Sequence, residues 1–132
     1  MLVPCEVAVK CLLPSIRATI AQNLMTKHNL KQADAAKLLG VSQPAISLYY
    51  RKMRGKAIDL GNDVEVEKLM ENLADSLAEG GLSHKDFISK FCEICRIIRA
   101  KGLLCKMHKA FDPSIDIEKC ELCRVAGSLR CT

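Results

Sequence analysis

Apolar residues recur at helical spacing along most of the chain and predict an all-α fold. In the first predicted helix they return every four positions, at Ile16, Ile20 and Leu24. This spacing marks one buried face. Pro14 is expected to restart or kink the same helix, because proline has no backbone N–H to donate. No stretch reads convincingly as a strand. The pattern predicts helices at 4–28, 32–39, 43–51, 64–79 and 84–101.

The predicted helix at 64–79 carries a stripe of five apolar residues. Gly80 and Gly81 end this helix, and Ser83 can cap the next one, with Asp86 as its box-like partner three residues later. The stripe could pack on the preceding helices, or it could form the seam of a dimer. Its members are Val66, Leu69, Met70, Leu73 and Leu77.

A short stretch with two glycines and two acidic residues, 55–63, separates two halves of different composition. We predict a DNA-binding domain at 1–56, a linker at 57–63, and a dimerisation helix followed by a cysteine-rich region at 64–132. The expected architecture is an N-terminal helix-turn-helix bundle joined to a helical, cysteine-rich metal-binding region.

The helix-turn-helix prediction depends on three residues and their spacing. Ala36 is the small residue needed where the first helix of the pair crosses the second. Gly40 tolerates the positive φ that a tight turn requires at little steric cost. Ile46 supplies the apolar residue in the middle of the second helix, facing the core. The apolar residues expected around it are Leu39, Val41 and Tyr49.

The second helix of this pair has a polar edge that suits contact with DNA. Ser42 is placed to cap it, and Pro44 falls in its first turn, where a missing N–H costs little. Gln43 is the best candidate for paired hydrogen bonds to an adenine in the major groove, and Pro44 could touch a thymine methyl group. Gln32 and the cations after the helix suit phosphate contacts. The predicted DNA-binding residues are Gln32, Ser42, Gln43, Pro44, Ser47, Arg51, Lys52 and Arg54.

The run LKQADAAKLLGVSQPAISLYYRKMRGK resembles the helix-turn-helix of phage-repressor-like (XRE-type) transcriptional regulators. The opening PCEVAVKCLLPSIRATIAQNL is similar to the archaeal branch of those regulators. The resemblance covers about the first 56 residues and implies a helical domain that binds operator DNA as a dimer. Pro44 departs from the pattern, since a flexible polar residue is common at that position.

Charge is distributed unevenly along the chain. Residues 1–60 contain nine lysines and arginines against three acidic residues, whereas residues 61–132 contain eleven against twelve. The net charge of +5 therefore comes from the first half, which favours a polyanionic partner such as double-stranded DNA. The sequence shows no secretory signal and no apolar run long enough for a membrane span, so a cytoplasmic protein is expected.

Six of the eight cysteines follow residue 91, and four of these form two CxxC pairs. Paired cysteines in an intracellular chain are more often metal ligands or redox groups than structural disulfides. Arg96 and Arg99 flank the first pair and are expected to lower the thiol pKa values. The predicted metal ligands are Cys92, Cys95, Cys105, Cys120 and Cys123.

Three kinds of site fit this spacing. An iron–sulfur cluster needs four thiolates, a number that the five cysteines exceed. A structural zinc site would lock a small module with four cysteines, or with three cysteines and His108. A metal-free thiol switch would form disulfides on oxidation. The long helix that carries the first pair, and the fifth cysteine, favour the cluster over zinc knuckles.

The segment FCEICRIIRAKGLLCKMH, followed by a CxxC, is similar to the tail of archaeal regulators, and this resemblance implies a [4Fe-4S] site. The remaining cysteines and histidines are assigned minor roles. We expect Cys5 and Cys11 to be small buried residues, and Cys131 to be dispensable. His28 and His84 are expected to be ordinary surface residues.

These features together predict a homodimeric transcription regulator whose tail senses iron or oxidant, with residues from about 62 to 104 holding the dimer. The rival predictions are the same regulator with a structural zinc site, and a zinc-stabilised protein-interaction adaptor. An enzyme is not expected, because the sequence has no Ser-His-Asp set, phosphate loop or zincin motif, and no small-molecule substrate is evident.

Overall fold

The computed structural model describes residues 3–52, 55, 58, 60–114, 116, 118 and 120. Within these ranges the regular structure is helical, with no strand, which confirms the all-α prediction for this part of the chain. The helices are α1 (Pro4–Val7), a π-helical turn (Ala8–Leu12), α2 (Leu13–Thr26), α3 (Gln32–Leu39), α4 (Gln43–Tyr50), α5 (Val64–Glu79), α6 (His84–Ala100) and α7 (Cys105–Phe111). The sequence pattern did not predict α7.

The first helical run changes its hydrogen-bond register shortly before Pro14. The Leu13 N–H donates to the Ala8 carbonyl, five residues earlier, which makes Ala8–Leu12 a π-helical turn. Pro14 then occupies the first turn of α2, where its missing N–H is tolerated. The Ser15 hydroxyl donates to the Cys11 carbonyl at 2.9 Å. Proline therefore restarts the helix as expected, and it does so through a π turn.

One continuous hydrophobic core extends from Val7 to Leu104. Helix α2 lies at its centre and packs along α5 and against both α3 and α4. The core crosses the predicted boundary between the two halves of the chain. Ile58 and Leu60, which fall in the predicted linker, also pack against it.

The apolar stripe of α5 is used inside the chain. Val66, Met70, Leu73 and Leu77 are buried in the core, and Leu69 is partly buried against it. Of the two roles predicted for the stripe, packing on the preceding helices is therefore the one observed. A second copy of the protein would have to meet a different surface.

Polar contacts fix the two ends of α5. At its C-terminal half, Asp75 and Glu71 receive the Lys27 ammonium at 3.2 and 2.6 Å. At its start, the Asp63 carboxylate accepts from the Val66 N–H at 3.0 Å and pairs with Lys101. No helix in the described ranges combines the length and apolar character needed to cross a membrane.

Candidate nucleic-acid interface and cysteine site

Helices α3 and α4 are joined by a turn of three residues that begins at Gly40. Gly40 has φ 69° and ψ 31°, a left-handed conformation that glycine adopts at little cost. The N–H groups of Gly40 and Val41 both donate to the Ala36 carbonyl, which closes the end of α3. Ala36 and Leu39 are buried, so the turn is seated on the core.

Helix α4 begins at a side-chain cap and buries one face. The Ser42 hydroxyl accepts from the Ala45 N–H at 3.2 Å, and Pro44 lies in the first turn. Ile46 is fully buried, and Tyr49 is 2% exposed. The inner face of α4 is thus fixed against α2 and α3, and the opposite face is directed away from the core.

The predicted DNA-binding residues occupy the surface that this arrangement leaves open. Ser42, Gln43, Pro44, Arg51 and Lys52 are exposed. Gln32, in the first turn of α3, and Ser47, in the middle of α4, are half-buried. Arg54 lies outside the described residues.

Tyr50 joins this surface, although the sequence analysis did not assign it a role. Its side chain is 54% exposed at the end of α4. It follows Ser47 by three residues and Gln43 by seven, so the three side chains share one face of the helix. That spacing is visible in the sequence, whereas the burial of the adjacent Tyr49 and the exposure of Tyr50 are set by the packing of α4.

The N-terminal end of α3 lies beside cationic and amide side chains. Lys31 occupies the capping position with φ −73° and ψ 156°, and its side chain accepts no hydrogen bond from the first turn of the helix. Backbone N–H groups at such an end, together with the helix dipole, favour anions. Gln32 is the first residue of the helix.

A second feature is a cavity of about 350 Å³ between the first helical run and α6. Three of its lining residues are cysteines: Cys5 from α1, and Cys92 and Cys95 from α6. Three arginines also line it, and the remaining walls are apolar and include Leu39 at the end of α3. The arginines are Arg17, Arg96 and Arg99.

Arg99 connects the thiols of two different helices. Its Nη1 atom donates to Cys5 Sγ at 3.7 Å, and its positive charge lies close enough to Cys95 to favour the thiolate of that residue. Burial nevertheless raises the pKa of the Cys95 thiol, because the desolvation of a thiolate outweighs the favourable charge of Arg99. Arg99 lowers the pKa of the Cys95 thiol as expected, but burial outweighs this effect, so the pKa of Cys95 is raised on balance.

The two N-terminal cysteines differ. Cys11 is 4% exposed, and burial raises the pKa of its thiol, as expected for a small core residue. Cys5 is exposed and lines the cavity, so the expectation that it is buried is wrong. The reason is tertiary: α1 places Cys5 beside Arg99 of α6, a residue 94 positions away.

The other predicted ligands are more dispersed. Cys105 begins α7 and is half-buried, as is Cys120. His108 is buried on α7, and Cys123 and Cys131 lie outside the described residues. Among the described residues, no group of three or more His, Cys, Asp or Glu side chains is arranged to hold a metal ion.

The chemistry of the cavity nevertheless fits a thiolate-bound group. It combines sulfur donors, cationic guanidinium groups that offset the charge of thiolates, and apolar side chains. Cys92 and Cys95 would supply two ligands from consecutive turns of one helix.

His28 has a structural contact that the sequence analysis did not anticipate. Its Nε2 atom lies 2.7 Å from Asp75 Oδ1, which ties the end of α2 to α5. His84 is exposed as expected. In comparisons with known proteins, the chain matches no family model, no curated protein and no solved structure.

Proposed function

We propose that this protein is a sequence-specific DNA-binding transcription regulator. One observation carries the proposal: α3, the Gly40 turn and α4 form a helix pair whose capped second helix buries Ile46 and exposes Gln43 at its entering end. A helix held in this way can enter the major groove with its N-terminal residues towards the base edges. The pattern resembles phage-repressor-like regulators of archaeal type.

Residues on the outer side of α4 have distinct roles in this proposal. Gln43 pairs with an adenine, which offers a donor and an acceptor to an amide. Ser47 and Tyr50 extend the same face, and Pro44 contacts a thymine methyl group. Ser42 remains the cap that fixes the helix start.

Phosphate contacts frame the base contacts. Gln32, with the N–H groups at the start of α3, holds one phosphate. The exposed Arg51 and Lys52 at the end of α4, followed by Arg54, hold others. The excess of cations in residues 1–60 supplies the favourable long-range field for approach to DNA.

We further propose that the protein acts as a homodimer. A single helix of eight residues contacts few base pairs, whereas two copies spaced by about 34 Å can read two half-sites on one face of the duplex. The α5 stripe is committed to the core, so within the predicted range of 62–104 the dimer would use another surface, and the exposed side of α6 is one candidate. Ile88 there is 47% exposed.

The cysteine region is proposed to carry an iron–sulfur cluster, of [4Fe-4S] type by resemblance, that senses redox or iron state. Such a group supplies an anionic centre whose stability depends on oxidant and iron. Cys92, Cys95, Cys105, Cys120 and Cys123 are the candidate ligands. The alternative for the metal is a structural zinc ion bound by the same cysteines. The protein would then be either the same regulator or a zinc-stabilised protein-interaction adaptor.

Selection of bound duplexes from random-sequence DNA tests the proposal. We expect one enriched motif, and an affinity for it that falls steeply with salt, by roughly 0.9 logarithmic units per logarithmic unit of salt for each phosphate contact. Lys52→Ala should make this slope shallower by about 1. Lys68→Ala, which removes an exposed cation from α5, is the matched control and should leave the slope unchanged.

Failure to enrich any motif at low salt would contradict the proposal. An adaptor would behave in that way, because it would show no preference among DNA sequences.

A further inference from the structure

The cavity between the first helical run and α6 collects groups from both halves of the chain. Cys5, Arg17 and Leu39 come from the predicted DNA-binding half, and Cys95 and Arg99 come from α6. Nothing in the sequence pattern joins Cys5 to the cysteine-rich tail. In the folded chain, the Arg99 guanidinium donates to Cys5 Sγ at 3.7 Å and lines the same cavity as Cys95.

We infer that Cys5 is a further thiolate ligand of the tail's metal centre, and that this cavity is where the centre is seated. The inference rests on the proposed cluster and adds to it a ligand from the first helix of the DNA-binding half. It also assigns Arg99 the role of holding the two sulfur atoms, one from each helix, at the same seat.

The charges that line the cavity suit an anionic occupant. Four thiolates around a cluster leave a net negative charge, which is costly to hold between apolar walls. Arg17, Arg96 and Arg99 all line the cavity and offset that charge. The Arg17 guanidinium is also stacked on the Phe91 ring, with its carbon 5.6 Å from the ring centroid, so it is held beside α6.

A cluster accommodates cysteines from separate helices more readily than a single ion does. Around one zinc ion, with bonds of about 2.3 Å, thiolates must converge to within about 4 Å of one another. The described cysteines do not form such a group. In a cluster each thiolate binds its own iron, so ligands from separate helices can surround a larger body.

This seat would connect the metal centre with the DNA-reading helices. Cys5 belongs to the same helical run as α2, on which α3 and α4 pack. Leu39, the last residue of α3, lines the cavity itself. With Cys5 released, α1 would lose its tie to α6 close to the turn that orients α4.

The test measures iron and acid-labile sulfide in protein prepared without oxygen. Cys5→Ala should contain about 10-fold less of both than the wild type at equal chelator concentration. Cys11→Ala, a buried cysteine of the same helical run, is the matched control and should keep the wild-type content. Circular dichroism of each variant reports whether the helices are retained.

Two measurements keep the test decisive if Cys5→Ala is unstable. In the wild type, Cys5 should react with iodoacetamide about 10-fold more slowly before iron is removed by a chelator than after removal. In Cys5→Ser, the serine oxygen would replace a sulfur ligand, so the electron paramagnetic resonance spectrum of the reduced protein should change. If Cys5 were purely structural, the same substitution would leave the spectrum unchanged.

The outcomes separate this inference from the proposed function. Wild-type iron content in Cys5→Ala, with equal labelling of Cys5 before and after chelation, would overturn the inference and leave the cluster standing. A wild-type protein that contains stoichiometric zinc, or no metal, would overturn the cluster and the inference together, and DNA binding would remain as a separate question.

Discussion

His28 Nε2 lies 2.7 Å from Asp75 Oδ1 and joins the end of α2 to the middle of α5. The Lys27 ammonium reaches the other carboxylate oxygen of Asp75 at 3.2 Å. The hydrogen bond from His28, and then that from Lys27, lower the pKa of the Asp75 carboxyl. These contacts connect the predicted DNA-binding half with the rest of the chain.

Acid should weaken this connection. The pKa of Asp75 is lower in the folded state, so its stabilising effect is fully present above the unfolded pKa of about 3.9 and is lost as the pH falls through the folded value. Asp75→Asn should therefore lower the urea midpoint at pH 7 and have a progressively smaller effect as the pH falls through the folded pKa, because the wild-type carboxyl then becomes protonated. Glu79→Gln, at the end of the same helix, is the control and should leave the midpoint unchanged.

Gly40 should resist substitution for a backbone reason alone. A Cβ atom at this position would meet no other atom within 4 Å, but the φ of +69° disfavours residues with a side chain. Gly40→Ala is expected to reduce the free energy of unfolding by about 1–2 kcal/mol. Gly40→Asn should cost less, because asparagine tolerates the left-handed region. Equal effects of the two substitutions in urea unfolding would show that φ is not the cause.

Gly55 should be more sensitive to the same change, because space is lacking there as well. A Cβ atom on Gly55 would lie 2.6 Å from the Pro14 carbonyl oxygen and 2.6 Å from the Ala18 Cβ. These atoms belong to α2 and have little freedom to move. Gly55→Ala should therefore destabilise the fold by more than Gly40→Ala, with overpacking alone costing about 1–3 kcal/mol. Parallel urea titrations of the two variants give the comparison directly.

Substitutions at Ile46 and Tyr50 should distinguish effects on stability from effects on DNA binding. Ile46 is fully buried, so Ile46→Ala should reduce the free energy of unfolding by about 2–5 kcal/mol. Tyr50 is 54% exposed, so Tyr50→Ala should change the free energy of unfolding by less than about 0.5 kcal/mol. The same substitution should weaken binding to the selected DNA. Thermal unfolding and binding titrations measure the two effects. Normal DNA binding by Tyr50→Ala would remove Tyr50 from the proposed interface.

Most of the helices could be predicted from local patterns in the sequence. The repeat of Ile16, Ile20 and Leu24 predicted a buried face that the structure confirms, since all three are fully buried. Gly40 was placed in the turn after α3 by its spacing from Ala36, and it has the expected positive φ. These features depend on neighbours within a few residues, so the sequence contains the information directly.

Features that depend on distant neighbours were missed. Helix α7 has only seven residues and packs against α1, and the Lys10 ammonium of the π-helical turn lies over its Phe111 ring at 5.4 Å. No local periodicity of apolar residues predicts such a short helix. Cys5 was misassigned for the same reason, because its environment is set by Arg99 from the other half of the chain.

In the proposed complex with DNA, Gln43 reads a base through the exposed end of α4. Binding titrations against the selected DNA sequence, and against its single-base variants, test it most directly. The wild type should prefer adenine at one position by about 1–3 kcal/mol. Gln43→Ala should lose that preference at this position alone, with the Lys68→Ala control behaving as the wild type. Unchanged base preferences in Gln43→Ala would contradict the account.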